Sequence, residues 1–220
     1  MLSILNQSFW RDEAFSLLMA AKSPLEIIKL TIQDTSPPLH YILLHYWMLV
    51  FGNSEVSARG LSFLFHFLTT ITVFFIARRL VKSLVVQFLI SFAVLLNPFL
   101  LQYAFEARAY SLLAFLITFA VYLILSRRNI LVGLVVALAI FTHNFAIFSF
   151  VALLAWFIYS NKHMIRRQMS ELAKLAIIPL VAIIVWGNFI YIQWTKVAEG
   201  FWIKQTTSSI FIHSFEQFAR

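Results

Sequence analysis

The chain has 220 residues, 61% of them hydrophobic and only 12% charged, with a mean hydropathy of +0.86. A soluble domain carries about twice that charge, so the composition points to a helical membrane protein and away from a soluble enzyme. The formal charge of +8 sits mostly between apolar runs, where it marks topology before it marks a nucleic-acid surface. No nucleic-acid-binding pattern accompanies it, and with no cysteine the chain has neither disulfides nor thiolate metal sites.

Residues 1–56 are punctuated and mixed in polarity. In "FWRDEAF" (9–15) two adjacent acids, Asp12 and Glu13, follow an aromatic pair and an arginine. Asp12 can cap a short helix through "EAFSLLMAAK", and "SPLE" at 23–26 sets Ser, Pro and Glu in the order of a capping box. After "DTSPP" a third helix, Pro38 to Phe51, ends at Gly52. Its length falls short of the roughly 30 Å hydrocarbon core. With His40, Tyr41, His45, Tyr46 and Trp47 it reads as a helix lying in the membrane interface. Ser54 can cap the next helix.

From 57 to 194 the apolar runs are long: about 61–77, 83–101, 109–125, 130–141, 145–159 and 175–194. The connectors "ARRLVK", "SRR" and "NKHMIRRQMSELAK" hold nine of the 17 Lys and Arg, which by the positive-inside rule makes them cytoplasmic. Residues 1–60, the connectors 102–108 and 142–144, and the segment from 195 to 220 then face outward. Residues 130–159 are read as two spans turning at Thr142–Asn144, because one continuous helix would carry Lys162, Arg166 and Arg167 to the outer side. Eight of the nine acids, Glu171 excepted, share the outer face with His40, His45, His143, Arg59 and Arg108. Titratable groups gathered on one face suggest a site there.

"FWRDEAFSLL", "DTSPPLHYILLHYWMLVFGNSEVSARGLSFLF", "FEARAYSLLAFLITFAVYLIL" and "THNFAIF", in that order, resemble the N-terminal half of the GT-C membrane glycosyltransferases, in the bacterial branch related to protein O-mannosyltransferases and aminoarabinose transferases. The resemblance runs from about residue 8 to 195. It implies an all-α polytopic membrane protein, a GT-C-like bundle with juxtamembrane helices in the first outer loop. It also implies a transmembrane helix preceding the acidic pair and further spans after Arg220, so the chain reads as an N-terminal fragment. The expected activity is inverting transfer of a sugar from a polyprenyl-phosphate donor to a lipid, glycan or protein acceptor, on the outer face of a bacterial or archaeal membrane. Some relatives carry His before the two prolines, where this chain has Ser36.

The resemblance assigns catalysis to the first acid, Asp12, as the group that takes the acceptor proton; the alternative is a helix N-cap. Glu13 is a second catalytic candidate, or a first-turn acid complementing the helix dipole. Arg108, in "EARAY", suits a donor phosphate, or snorkels to headgroups. Tyr110 could touch the same phosphate or belong to an aromatic belt, and Glu106 could pair with Arg108. Arg59 is a third phosphate candidate, with an ion pair to Glu55 as the alternative. Asp34 and His143 are the pair that would ligate a divalent metal, as in some relatives; a His at a tight turn is otherwise simply hydrogen-bonded. His40 and His45, five residues apart, point away from each other and form no metal pair. His66, inside a span, reads as a satisfied core histidine. Two competing functions remain: a transporter or flippase of lipid-linked saccharide, which calls for polar groups at mid-membrane, and a non-catalytic membrane scaffold.

Overall fold

The computed structural model describes residues 8–34, 36–163 and 165–200, and every regular element among them is helical. Three short helices come first: α1 (Arg11–Ala20), α2 (Pro24–Thr31) and α3 (Leu39–Phe51). The helix α4 (Glu55–Leu80) opens the apolar bundle, followed by α5 (Leu84–Leu95), α6 (Pro98–Ala104), α7 (Tyr110–Leu125), α8 (Asn129–Ile140), α9 (Ala146–Ser160) and α10 (Met169–Gly200). The expected outer segment from 195 is helical to Gly200, and from Phe201 onward it lies outside the described residues, as does Glu216.

Local chemistry sets most boundaries. Ser23 and Glu26 form a complete capping box at α2, Ser54 caps α4 through the Ser57 N–H, and Gly52 ends α3 with φ of 80°, a left-handed conformation that favours glycine. The run 83–101 is broken: Asn97 caps a new helix with Pro98 in its first turn, and α5 and α6 meet at 55°. Proline has no N–H to continue the preceding ladder, so the break falls where the sequence places it. Residues 130–159 are likewise two helices, separated at Phe141–Phe145.

Contacts fix the directions. α4 and α7 run alongside each other, with Ser62 Oγ on the Arg108 carbonyl (3.4 Å) near one end and Arg79 Nη1 on the Leu125 carbonyl (3.3 Å) at the other. α8 and α10 also share a direction: Asn129 Nδ2 donates to Glu171 Oε2 (3.0 Å), and farther along Phe141 packs edge-on against Trp186. Gly133 makes that approach close; a Cβ there would lie 3.0 Å from the Lys174 carbonyl oxygen and 3.2 Å from that of Leu175. The Leu175 carbonyl has lost its helical donor to Pro179, which lacks an N–H.

The bundle is built for lipid. α5 turns Leu84, Val85, Phe88, Leu89 and Phe92 outward, while its buried Gln87 and Ser91 bond backbone carbonyls. On α4 the buried Thr69 and Thr70 donate to carbonyls one turn back, and His66 Nε2 meets the Leu95 carbonyl at 3.0 Å. Apolar side chains outside, and polar ones inside that bond backbone carbonyls, suit a hydrocarbon solvent. By length and composition α4 and Met169–Gln193 of α10 are each able to cross a membrane, and the bent α5–α6 pair makes a third; α7, α8 and α9 are shorter apolar helices. The basic turn Ser126–Arg128 and Arg79 occupy one end of the bundle, and Asp12, Glu13, Arg59 and Arg108 the other.

Candidate active site

The acidic pair begins with a correction. α1 starts at Arg11 behind Trp10, with no side-chain cap, so Asp12 is the second residue of the helix rather than its N-cap. Successive helical residues point about 100° apart, and the two acids go to different places. Glu13 turns inward and is only 1% exposed. Its Oε1 accepts from Arg59 Nε (2.9 Å) and from the Ala107 N–H (2.9 Å), and its Oε2 lies 2.7 Å from Arg59 Nη2. For Arg59 the sequence offered a donor phosphate or an ion pair with Glu55 one turn away, but its bidentate partner is Glu13, 46 residues distant. This buried fork ties α1 to α4 and to the Glu106–Arg108 loop, so Glu13 and Arg59 form a brace behind the site rather than its lining.

Asp12 turns the other way. Its Oδ2 lies 3.2 Å from Arg108 Nη2, and that pair is partly open, with Asp12 42% and Arg108 27% exposed. The guanidinium is also held over two aromatic faces, Tyr110 at 4.7 Å and Trp10 at 5.5 Å. Glu106 does not take Arg108 as its ion-pair partner; burial raises its pKa, with the Arg108 charge opposing.

A cavity of about 570 Å³ opens beside this pair, within the size range of small-molecule sites. Its walls come from α1, from Asp34, Ser36 and Pro37, from the start of α3, from Arg108 to Tyr110, and from Thr142 and His143. Four of its surroundings are pinned by long-range bonds: His45 Nδ1 to the Ala20 carbonyl (2.8 Å), the Leu39 N–H to the Phe141 carbonyl (2.9 Å), Ser111 Oγ to the Tyr103 carbonyl (3.0 Å), and Gln193 Nε2 to the Thr31 carbonyl (2.9 Å). Asp12, Asp34, Arg108, Tyr110 and His143, drawn from four separated stretches, therefore meet around one space. Asp34 presents a buried Oδ2 with no hydrogen-bond partner among the described residues. His143 packs at a tilt against Tyr110, with ring centroids 5.5 Å apart, and accepts the Phe145 N–H on Nδ1 (3.2 Å). Burial lowers its pKa, so the ring is neutral and its proton sits on Nε2. Among the described residues no group of three or more His, Asp or Glu is placed to hold a metal ion.

Two further lining residues, named in the sequence as parts of an interfacial helix, were given no site role there. Tyr41 has its hydroxyl pKa pushed up to about 12 by burial. His40 is 2% exposed, and neither ring nitrogen makes a hydrogen bond among the described residues. The nearby Ala107 carbonyl favours a proton on the ring, though outside hydrogen-bond geometry, and burial outweighs it, holding the pKa down to about 4. The available signal was the position of His40, two residues after Pro-Pro at the start of a helix.

A buried carboxylate–guanidinium brace supports an open carboxylate–guanidinium pair at the rim of a cavity, all at one end of an apolar bundle. No curated protein and no solved structure matches the chain. A family model does match, over residues 35–186, more than half of the chain and including His40, Arg59, Arg108, Tyr110 and His143 but not Asp12, Glu13 or Asp34. Taken with the apolar helices, that match shows an integral membrane protein of GT-C type that uses lipid-linked sugar donors, and the chain belongs to the dolichyl-phosphate-mannose-protein mannosyltransferase family.

Proposed function

We propose that the chain carries the donor end of an inverting glycosyltransferase site that draws a sugar from a polyprenyl phosphate and passes it to a hydroxyl of a lipid, glycan or protein. The observation that carries this reading is the Asp12–Arg108 pair at the cavity rim. In the displacement, a bond forms from the acceptor oxygen to the anomeric carbon as the bond to the phosphate oxygen breaks. The acceptor proton passes to Asp12, and polyprenyl phosphate leaves with the bonding electron pair, its charge met by Arg108.

Inversion needs the base and the leaving group on opposite faces of the reacting carbon. A carboxylate and a guanidinium 3.2 Å apart cannot flank a sugar ring, so the pair is the resting arrangement. A donor phosphate competes for Arg108 with two charge-assisted hydrogen bonds, and its arrival releases Asp12 toward the acceptor. Trp10 and Tyr110 keep the guanidinium in place while its carboxylate partner changes. By the charge of the opposite end, the cavity faces away from the cytoplasm. A divalent ion would find Asp34 and His143 here, but His143 would first have to give up the bond it accepts from the Phe145 N–H. No step above is routed through a metal.

The test is transfer of labelled sugar from a polyprenyl-phosphate donor by the full chain in membranes, wild type beside Asp12→Asn. Transfer by the wild type and loss in a folded variant supports the assignment. Equal rates would leave Asp12 as no more than a partner for Arg108. The flippase reading is disfavoured because Thr69 and Thr70 of α4 and Gln87 and Ser91 of α5 direct their donors to backbone carbonyls.

A further inference from the structure

We propose that His40 and Asp34 form a hydroxyl-reading subsite in the cavity, which binds ring hydroxyls of the transferred sugar. The inference rests on the transferase reading and adds to it the means by which the sugar itself is recognised.

Both groups are in an unusual condition. A buried polar atom almost always has a partner, because leaving it without one forfeits the hydrogen bonds it made in water. Among the described residues His40 has two such nitrogens, and Asp34 one such oxygen, its Oδ2. Both residues line the cavity, so the missing partners belong to whatever occupies it. Burial keeps the imidazole neutral, with one N–H to donate and one lone pair to accept; the Asp34 oxygen adds a second acceptor.

That inventory selects the ligand. One donor and two acceptors, with no net positive charge, do not suit a phosphate, and the Asp34 carboxylate would repel one. A hydroxyl both donates and accepts, so neighbouring hydroxyls on a sugar ring satisfy all three positions at once. The placement agrees with the direction of the donor. Arg108 and His40 line the same cavity, so a sugar joined to a phosphate on Arg108 lies in the space that His40 borders. Ala107 links the subsite to the brace, since its N–H is fixed by Glu13 and its carbonyl lies beside the His40 ring.

The experiment uses the full chain in membranes with polyprenyl-phosphate mannose, glucose and arabinose, and with analogues in which one ring hydroxyl at a time is replaced by hydrogen. The reading is the ratio of kcat/KM between each sugar and its deoxy analogue. Wild type should reject at least one deoxy analogue by about 100-fold or more, as sites built to bond a hydroxyl do. His40→Phe should bring that ratio to within about threefold of one. His40→Gln or His40→Asn should restore part of it, according to which nitrogen makes the bond. Asp34→Asn should reduce rejection at the same or an adjacent hydroxyl, and it carries the comparison with His40→Gln if His40→Phe does not fold. Wild-type discrimination retained in every folded variant, or a change confined to the acceptor KM, overturns the subsite while leaving the transferase reading intact. If the wild type transfers none of the three sugars, the transferase reading falls and the subsite with it.

Discussion

Asp12 and Glu13 are neighbours in the sequence, and each faces an arginine, yet they belong to different regions of the molecule. Glu13 and Arg59 are buried, joined by two short contacts, with a backbone N–H completing the carboxylate. Asp12 and Arg108 meet at the rim of a cavity, joined by one contact of 3.2 Å and open to exchange partners. The chemical groups are the same, and burial decides what they can do. A desolvated pair with its lone pairs satisfied is costly to break from one side, so it fixes geometry. An exposed pair contributes little to stability, so it is free to be taken apart by a ligand. One turn of helix supplies both, because adjacent residues diverge by about 100°.

The sharpest way to break that comparison is to neutralise each acid in turn. Asp12→Asn should lower transfer by about 10²–10⁴-fold, the range for a general base, while shifting stability by less than about 1 kcal/mol. Glu13→Gln should do the reverse: about 3–5 kcal/mol of stability lost because Arg59 stays buried without its counter-charge, with per-molecule activity of the folded fraction much closer to wild type. Denaturation in detergent alongside initial rates separates the two. If Glu13→Gln folds normally and is inactive, Glu13 belongs to the chemistry and the brace reading is wrong. Replacing Glu13 and Arg59 together by apolar residues of similar volume should recover much of the loss, since no unpaired charge then remains buried.

Much of the fold was legible because it is written locally. The capping box at Ser23–Glu26 and the stop at Gly52 each depend on residues within a few positions of one another; the break before Pro98 is as local, but the run 83–101 was read as one span. The site was legible as a set of residue types on one side of a hydropathy pattern, and Asp12, Asp34, Arg108, Tyr110 and His143 do line one cavity. What could not be read was pairing across distance. The sequence offered Glu55 as a partner for Arg59 at helical spacing, whereas the partner lies 46 residues away. The role of Glu13 was invisible for the same reason, since one of its donors, the Ala107 N–H, is 94 residues distant. His40 was given no site role because burial without a hydrogen-bond partner is a property of the folded molecule alone.

A smaller effect comes from the cavity side through His40. Its pKa of about 4 in the fold lies below the ordinary 6.5, so the unfolded chain binds the proton more readily over that interval. Stability therefore rises with pH across it, is fully present above about 6.5, and is lost as pH falls toward 4. Lowering the pH from 7 to 5 should reduce the melting temperature of wild type, and His40→Phe should flatten the part of the curve that this ring contributes. A profile unchanged by the substitution would mean that His40 is hydrated or partnered in the membrane.

The smallest effect expected separates the two pairs without a mutation. The Debye length is about 10 Å at 0.1 M salt and about 3 Å at 1 M, so added salt reaches the open pair and leaves the buried one nearly untouched. Raising the salt should loosen Asp12 from Arg108 while the stability held by Glu13 and Arg59 stays constant. At fixed subsaturating donor, two opposed changes follow. A weaker resting pair favours donor entry, and a screened Arg108 attracts the donor phosphate less. The second should dominate in wild type, since the phosphate approaches from outside the cavity, where screening is strongest. In Asp12→Asn the competing carboxylate is gone and only that second effect remains, so donor binding in the variant should fall more steeply with salt than in wild type. Equal slopes would show that Asp12 does not compete with the donor for Arg108, and that the rim pair is as fixed as the brace behind it.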